Sequence, residues 1–217
     1  MVLTFVLFVV AYVLGSIPTA IWVSKLFFGI DIRQHGSGNS GATNIIRVLG
    51  YKAGLPVLII DILKGYLAVR LASLTGLYEQ GTEQFLTLQL AYGSAAILGH
   101  IFPVFAGFRG GKGVATLFGV ALAVVPLSTL VCAGVFFVTL FFSHYVSVSS
   151  MTAGISFPVI VIFLFNNTAL SLVIFSILIA VMILLTHQKN IERLLKKEES
   201  KADFLHLWKK KKQDHRS

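Results

Sequence analysis

Charge is scarce in this chain. Asp, Glu, Lys and Arg make up 12% of its 217 residues, about half the share of a soluble globular domain. Between Gly113 and Thr186 there is none at all. With 56% hydrophobic residues and a mean hydropathy of +0.84, the chain has more apolar surface than a soluble core of this size can hide. Lipid is therefore the expected solvent for most of it. Cysteine is almost absent: Cys132 stands alone in an apolar run, which excludes an internal disulfide and suits a small packing residue. The N-terminal apolar run lacks a basic leader, so it reads as a membrane span and not as a cleaved signal peptide.

Acidic residues are also few, 9 against 18 Lys and Arg, for a formal charge of +9. In a soluble chain that excess would point to nucleic acid. Here the basic residues sit between and after apolar runs, which fits membrane topology and anionic substrates, with membrane lipid and no nucleic acid as partners. A spanning helix needs about 20 mainly apolar residues. Candidate spans run from about Leu3 to Phe28, Tyr51 to Leu74 and Phe85 to Pro103. The uncharged stretch after Gly113 divides at Pro126–Thr129, His144–Ser150 and Asn166–Asn167 into four more. The expectation is an all-α polytopic membrane protein with about seven transmembrane helices. It is a single domain over residues 1–217, with 187–217 as a basic cytoplasmic tail. Seven spans put Lys25, Arg33, Arg47, Lys52, Arg109, Lys112 and the ten basic residues of the tail on one side, sixteen of the 18. By the positive-inside rule that side is cytoplasmic, and the N-terminus lies outside.

Three polar segments share this cytoplasmic face. The first is Gly36-Ser37-Gly38-Asn39-Ser40-Gly41-Ala42-Thr43-Asn44, with Arg47 one turn later. Its glycines let backbone N–H groups converge on an anion, its hydroxyl and amide side chains add donors, and Arg47 can grip phosphate bidentately. The same residues match Gly-x-Gly-x-x-Gly, but a dinucleotide fingerprint must follow a strand, and membrane spans flank this one. The second segment begins at His100 and leads to Gly107-Phe108-Arg109-Gly110-Gly111-Lys112-Gly113. Ala106 and Gly113 break the nucleotide phosphate-loop pattern, yet a glycine-rich turn before a helix still suits phosphate. The third is His187-Gln188-Lys189-Asn190-Ile191-Glu192-Arg193, where helical spacing puts His187, Asn190 and Arg193 on one face. Inside the second span, Asp61 and Lys64 at i, i+3 can neutralise one another as a supporting intramembrane pair. The run Lys209–Lys212 suits the membrane surface. No histidine or cysteine spacing suits a metal, and no nucleophile elbow is present.

Together the three segments resemble those of the acyl-phosphate:glycerol-3-phosphate acyltransferase family, PlsY. The matching stretches are GSGNSGATN with Arg47, GHIFPVFAGFRGGKGVAT and HQKNIERLL, in the same order and spacing over essentially the whole chain. After Leu195 the family often has a glycine before an acidic residue, whereas this chain has Lys196-Lys197-Glu198-Glu199. The resemblance implies transfer of a fatty acyl group from acyl phosphate to glycerol 3-phosphate, giving 1-acyl-glycerol 3-phosphate. It implies no cofactor or metal and no direct use of acyl-CoA or acyl carrier protein. It points to Ser37, Arg47, Lys112, His187 and Asn190 as catalytic residues. Gly38, Asn39, Thr43, Asn44, His100, Gly107, Arg109, Gly110, Gly111 and Gly113 join Arg47 and Lys112 around the substrates. The chemistry is consistent with this, because an acyl phosphate is already activated and needs orientation and charge neutralisation more than a covalent nucleophile. The main rival, a transporter of phosphorylated anions, predicts an inverted repeat with matching breaks, and the three unlike motifs on one side do not form one.

Overall fold

The computed structural model describes residues 1–202, and all regular structure among them is helical. The elements are α1 Val2–Gly15, α2 Thr19–Phe28, α3 Ala42–Leu49, α4 Tyr51–Arg70 and α5 Glu83–Ile101. They continue with α6 Val114–Val124, α7 Pro126–Ser143, α8 Val146–Val159, α9 Leu170–Thr186 and α10 Gln188–Leu195. The expectation for Lys209–Lys212 lies outside the described residues.

The uncharged stretch divides where the sequence suggests. Pro126 stands in the first turn of α7, where its missing N–H costs nothing, and His144 ends that helix in the left-handed conformation. The first apolar run behaves differently. Expected as one helix, it breaks at Ser16–Pro18, and α1 and α2 are bent by 44°. Proline disfavours helical backbone in the residue before it, so the Ile17 carbonyl turns out of the helix ladder and accepts instead from the Thr19 N–H at 3.0 Å. That carbonyl is used by the site, as shown below.

Three helical stretches, Glu83–Ala106, Pro126–Ser143 and Val146–Leu164, are long and apolar enough to cross a membrane. The count rises to five if each bent pair, α1 with α2 and α9 with α10, makes one span. The 20-residue α4 has the length but carries Lys52, Asp61, Lys64 and Arg70. The 11-residue α6 reaches about 16 Å, roughly half a hydrocarbon core of about 30 Å.

Small residues set the packing that positions the site. A Cβ on Gly65 of α4 would lie 2.1 Å from the Thr116 carbonyl oxygen, and one on Gly119 of α6 would lie 1.9 Å from that of Ile62. The two backbones touch at these points, as in helix pairs that associate in lipid through small residues. This contact brings the start of α6, and hence the glycine turn before it, against the middle of α4 where Asp61 and Lys64 sit. Val120, Phe157, Leu172 and Ile183 are buried in a core shared by α6, α8 and α9.

Candidate active site

The first loop is built around one amide. Asn44, buried in α3, donates from Nδ2 to the carbonyls of Ile32, His35 and Asn39, at 3.3, 3.0 and 3.0 Å. Its Oδ1 accepts from the Ser37 backbone N–H at 2.9 Å. The side chain that sequence assigned to substrate is thus spent on holding the loop, and the loop presents other groups. The Ser37 hydroxyl makes no side-chain hydrogen bond among the described residues, while Thr43 and Arg47 are exposed on α3. Gly38 takes φ +74, and Asn39 contributes its carbonyl to Asn44.

A second brace ties this loop to the glycine turn. Asp31 accepts from the Arg33 backbone N–H, Nε and Nη2, and Lys25 Nζ lies 3.2 Å from it. The hydrogen bonds from Arg33 hold the Asp31 carboxyl well below the usual carboxylate range and raise the guanidinium in turn. Arg33 Nη1 also donates to the Ala106 carbonyl at 3.3 Å, next to Gly107.

The turn itself lies flat on the end of α5. The Gly110 and Gly111 N–H groups donate to the carbonyls of Ile101 and His100 at 3.0 and 3.2 Å. A Cβ on Gly110 would meet the His100 carbonyl oxygen at 1.9 Å, and one on Gly111 would meet His100 Nε2 at 2.3 Å. Both positions therefore exclude any side chain. Gly107 and Gly113 take φ +63 and +80, and Arg109 is exposed. His100 is buried behind the turn, its Nδ1 hydrogen-bonded with Thr116 Oγ1 at 3.1 Å.

Lys112 leaves this turn and meets the third segment. Its Nζ donates to Asn190 Oδ1, and Asn190 Nδ2 donates to Glu199 Oε1 at 2.7 Å. Ser147, at the start of α8, donates to the same Glu199 oxygen at 2.7 Å. Burial lowers the Lys112 pKa to about 8; Glu199 pulls it back up, while Arg193 and Arg47 push it further down. His187, at the 54° bend between α9 and α10, is 2% exposed. Its Nδ1 lies 2.8 Å from the Ile183 carbonyl, which can only accept, so Nδ1 carries the hydrogen and Nε2 is the open basic atom of the neutral ring. Arg193 Nη2 reaches back to the Ser37 carbonyl at 3.3 Å, closing the circle to the first loop.

Glu199 and Ser147 were not among the residues read from sequence. Lys197 explains how Glu199 arrives. It takes φ +59, the left-handed conformation in which glycine is usual, while the Glu198 N–H caps the Arg193 carbonyl at 2.8 Å. The chain reverses there, and the Ala202 N–H is fixed to the His144 carbonyl at 2.7 Å. The residue before Glu198 thus does a glycine's work without being one, and the acidic pair after it was the only trace in the sequence.

Beneath the turn, Asp61 and Lys64 close on one another as an ion pair. Lys64 Nζ lies 2.8 Å from Asp61 Oδ1 and donates to the released Ile17 carbonyl at 3.0 Å. Thr19 donates to the same Asp61 oxygen at 3.1 Å. Among the described residues no group of three His, Cys, Asp or Glu is placed to hold a metal.

A helical fold of this kind, with three polar segments joined at one end, is that of an integral membrane acyltransferase. The model of the family described as glycerol-3-phosphate acyltransferase matches residues 5–197, and the chain belongs to that family. A glycerol-3-phosphate acyltransferase of Bacillus cereus (strain G9842) is 48% identical over 204 residues, covering 94% of this chain and 98% of its own. One of Chlorobium phaeobacteroides (strain BS1) is 41% identical over 228 residues, covering 92% and 96%. The crystal structure of PlsY (YgiH), an integral membrane glycerol 3-phosphate acyltransferase in its glycerol 3-phosphate form, matches with a TM-score of 0.81 at 37% identity. That match covers 91% of this chain and 94% of the other, and the lysophosphatidic acid form of the same protein gives a TM-score of 0.79.

Proposed function

We propose that this protein transfers a fatty acyl group from acyl phosphate to the sn-1 hydroxyl of glycerol 3-phosphate, giving lysophosphatidic acid and inorganic phosphate. One observation carries the reading. Lys112, Arg193 and Arg47 come from three separate segments that are tied together: Lys112 donates to Asn190 of the third, and Arg193 of the third donates to the Ser37 carbonyl of the first. Such a cluster suits two phosphorylated substrates held side by side. The relatives' names and the two bound forms of the crystallised relative support the acceptor and the product.

In this reading Ser37 and Arg47 hold the phosphate of glycerol 3-phosphate, and Lys112 with the turn Gly107–Gly113 holds the donor phosphate. The acyl carbon gains a bond to the sn-1 oxygen and loses its bond to the phosphate oxygen, which departs with the electron pair. The hydroxyl proton has two acceptors in reach of the chemistry, a substrate phosphate oxygen and His187 Nε2. Cys132 is buried in α7, away from all three segments, and has no part in the step.

Seven spans, with the N-terminus outside and the site at the cytoplasmic face, complete the proposal. The chain acts as a single domain in the bacterial cell membrane. The direct test is synthesis of lysophosphatidic acid by purified protein from acyl phosphate, with acyl-CoA and acyl carrier protein as parallel donors and EDTA present. Activity with acyl-CoA alone, or loss in chelator reversed by one divalent ion, sinks the donor assignment. For sidedness, cysteines at Gln34, Arg109 and Lys189 in a Cys132→Ala background should react with an impermeant thiol reagent only from the cytoplasmic side. Labelling of any one from outside breaks the shared face.

A further inference from the structure

Behind the glycine turn lies a small cavity whose polar lining comes from Thr19, Ser40, Asp61, Lys64 and His100, with Ile17, Pro18 and Pro103 among its apolar walls. It has room for about one water. Its lining is not self-sufficient. Ser40 is 7% exposed, and its Oγ has no hydrogen-bond partner among the described residues. His100 uses Nδ1 on Thr116, and Nε2 makes no hydrogen bond among the described residues. Asp61 receives Thr19 and Lys64 on Oδ1 alone. The Ser40 hydroxyl, His100 and Asp61 thus line one space, and a buried hydroxyl without a partner is a cost that one water can remove.

We propose that this cavity binds one structural water, and that the water with His100, Ser40 and the Asp61–Lys64 pair positions the glycine turn that carries Lys112. A water here can serve three polar groups at once, which is the usual number for a buried water. It would link the first loop through Ser40, α5 through His100 and α4 through Asp61. The imidazole edge is also the surface on which Gly111 rests, so the orientation of the ring sets the height of the residue next to Lys112. Thr116 fixes that orientation whichever of the two atoms donates. None of these side chains belongs to the Lys112–Asn190–Glu199 chain. They act on it through the backbone, as positioning residues.

This inference rests on Lys112 being a substrate-phosphate ligand, so the experiment separates the two. Thr116→Val removes the hydroxyl and keeps the shape. Its kcat per folded enzyme should fall roughly tenfold or more, as a misplaced reacting geometry does. Both KM values should stay within about twofold, and Thr116→Ser should restore the rate. The alkaline limb of its pH profile should also move, because the surroundings of Lys112 change. A merely structural role would lower the yield of folded enzyme and leave kcat and the limb in place. Ser40→Ala changes only the loop and should lose about two- to tenfold, the worth of one hydrogen bond. A crystal structure of the wild-type protein should show one ordered water within hydrogen-bond distance of Ser40 Oγ and His100 Nε2. Normal kcat in both Thr116→Val and Ser40→Ala, or a dry cavity, overturns the proposal. Lys112→Met run alongside reports on the underlying reading: retained activity there defeats the phosphate-ligand role whatever the Thr116 variants do.

Discussion

Lys64 and Lys112 are both lysines withdrawn from water, on adjoining elements, and they are held in opposite ways. Lys64 is 4% exposed, and its ammonium faces a carboxylate at 2.8 Å and the Ile17 carbonyl at 3.0 Å. Lys112 is half-buried and faces a neutral amide, with the carboxylate of Glu199 one residue further away. The first charge is neutralised inside the protein and has little left to offer an anion. The second is oriented without being neutralised, and two arginines nearby add to its positive field. What separates the two lysines is therefore the strength of the internal partner, and the weaker one leaves Lys112 suited to the phosphate role proposed for it.

The largest effect expected from this contrast is on stability. Lys64→Met leaves Asp61 as an uncompensated buried charge, which costs about 3–5 kcal/mol. The thermal transition in detergent should drop and the yield of folded protein should collapse. A stable, well-expressed Lys64→Met protein would erase the distinction between the two lysines. Next comes Lys112→Met, which should fold normally and lose about 10²–10³-fold in kcat, the usual result of removing one preorganised charge-stabilising donor.

Arg47→Lys tests an exposed cation that makes no side-chain hydrogen bond or ion pair among the described residues. It keeps the charge and loses the paired hydrogen-bond geometry, for a cost of about 1.5–3 kcal/mol in transition-state stabilisation. The loss should appear mainly as a raised KM for glycerol 3-phosphate, with the acyl phosphate KM little changed. Equal effects on both substrates would show the two phosphate sites to be wrongly assigned.

The smallest effect is on the pH profile. The phosphate-binding role proposed for Lys112 needs its charged form, and its pKa is held at about 8. The profile of kcat/KM should be flat at neutral pH and fall as the pH rises through that value. The limb in kcat should lie higher, because a bound phosphate favours the ammonium. Glu199 raises the Lys112 pKa, so Glu199→Gln should move the kcat/KM limb to lower pH. A limb that moves upward, or stays in place, would falsify the route from Glu199 through Asn190 to Lys112.

Much of this was legible in the sequence, for a physical reason. Membrane residence follows from composition, and composition needs no coordinates: a 74-residue stretch from Gly113 to Thr186 without an acid or a base has no other comfortable solvent. The helical divisions at Pro126, His144 and Asn166 were readable because proline and left-handed conformers act locally. So were the three cationic segments, two of them glycine-rich, whose residue types suit phosphate. Distribution of roles was not readable. Asn44 looks like a ligand and holds its own loop, while His100 looks like a ligand and sits behind the turn. Ser147 meets Glu199 across 52 residues of chain, a contact no spacing rule reaches. The break at Pro18 falls inside a run that reads as one span, yet the Ile17 carbonyl beside it accepts from Lys64, 47 residues on. By itself the sequence determined the solvent, the helices and the chemical appetite of the three segments, because each of these is a sum over local residues. The tertiary structure alone decided which cation is satisfied and which is left waiting, because that depends on what the packing of α4, α6, α8 and α10 brings within 3 Å.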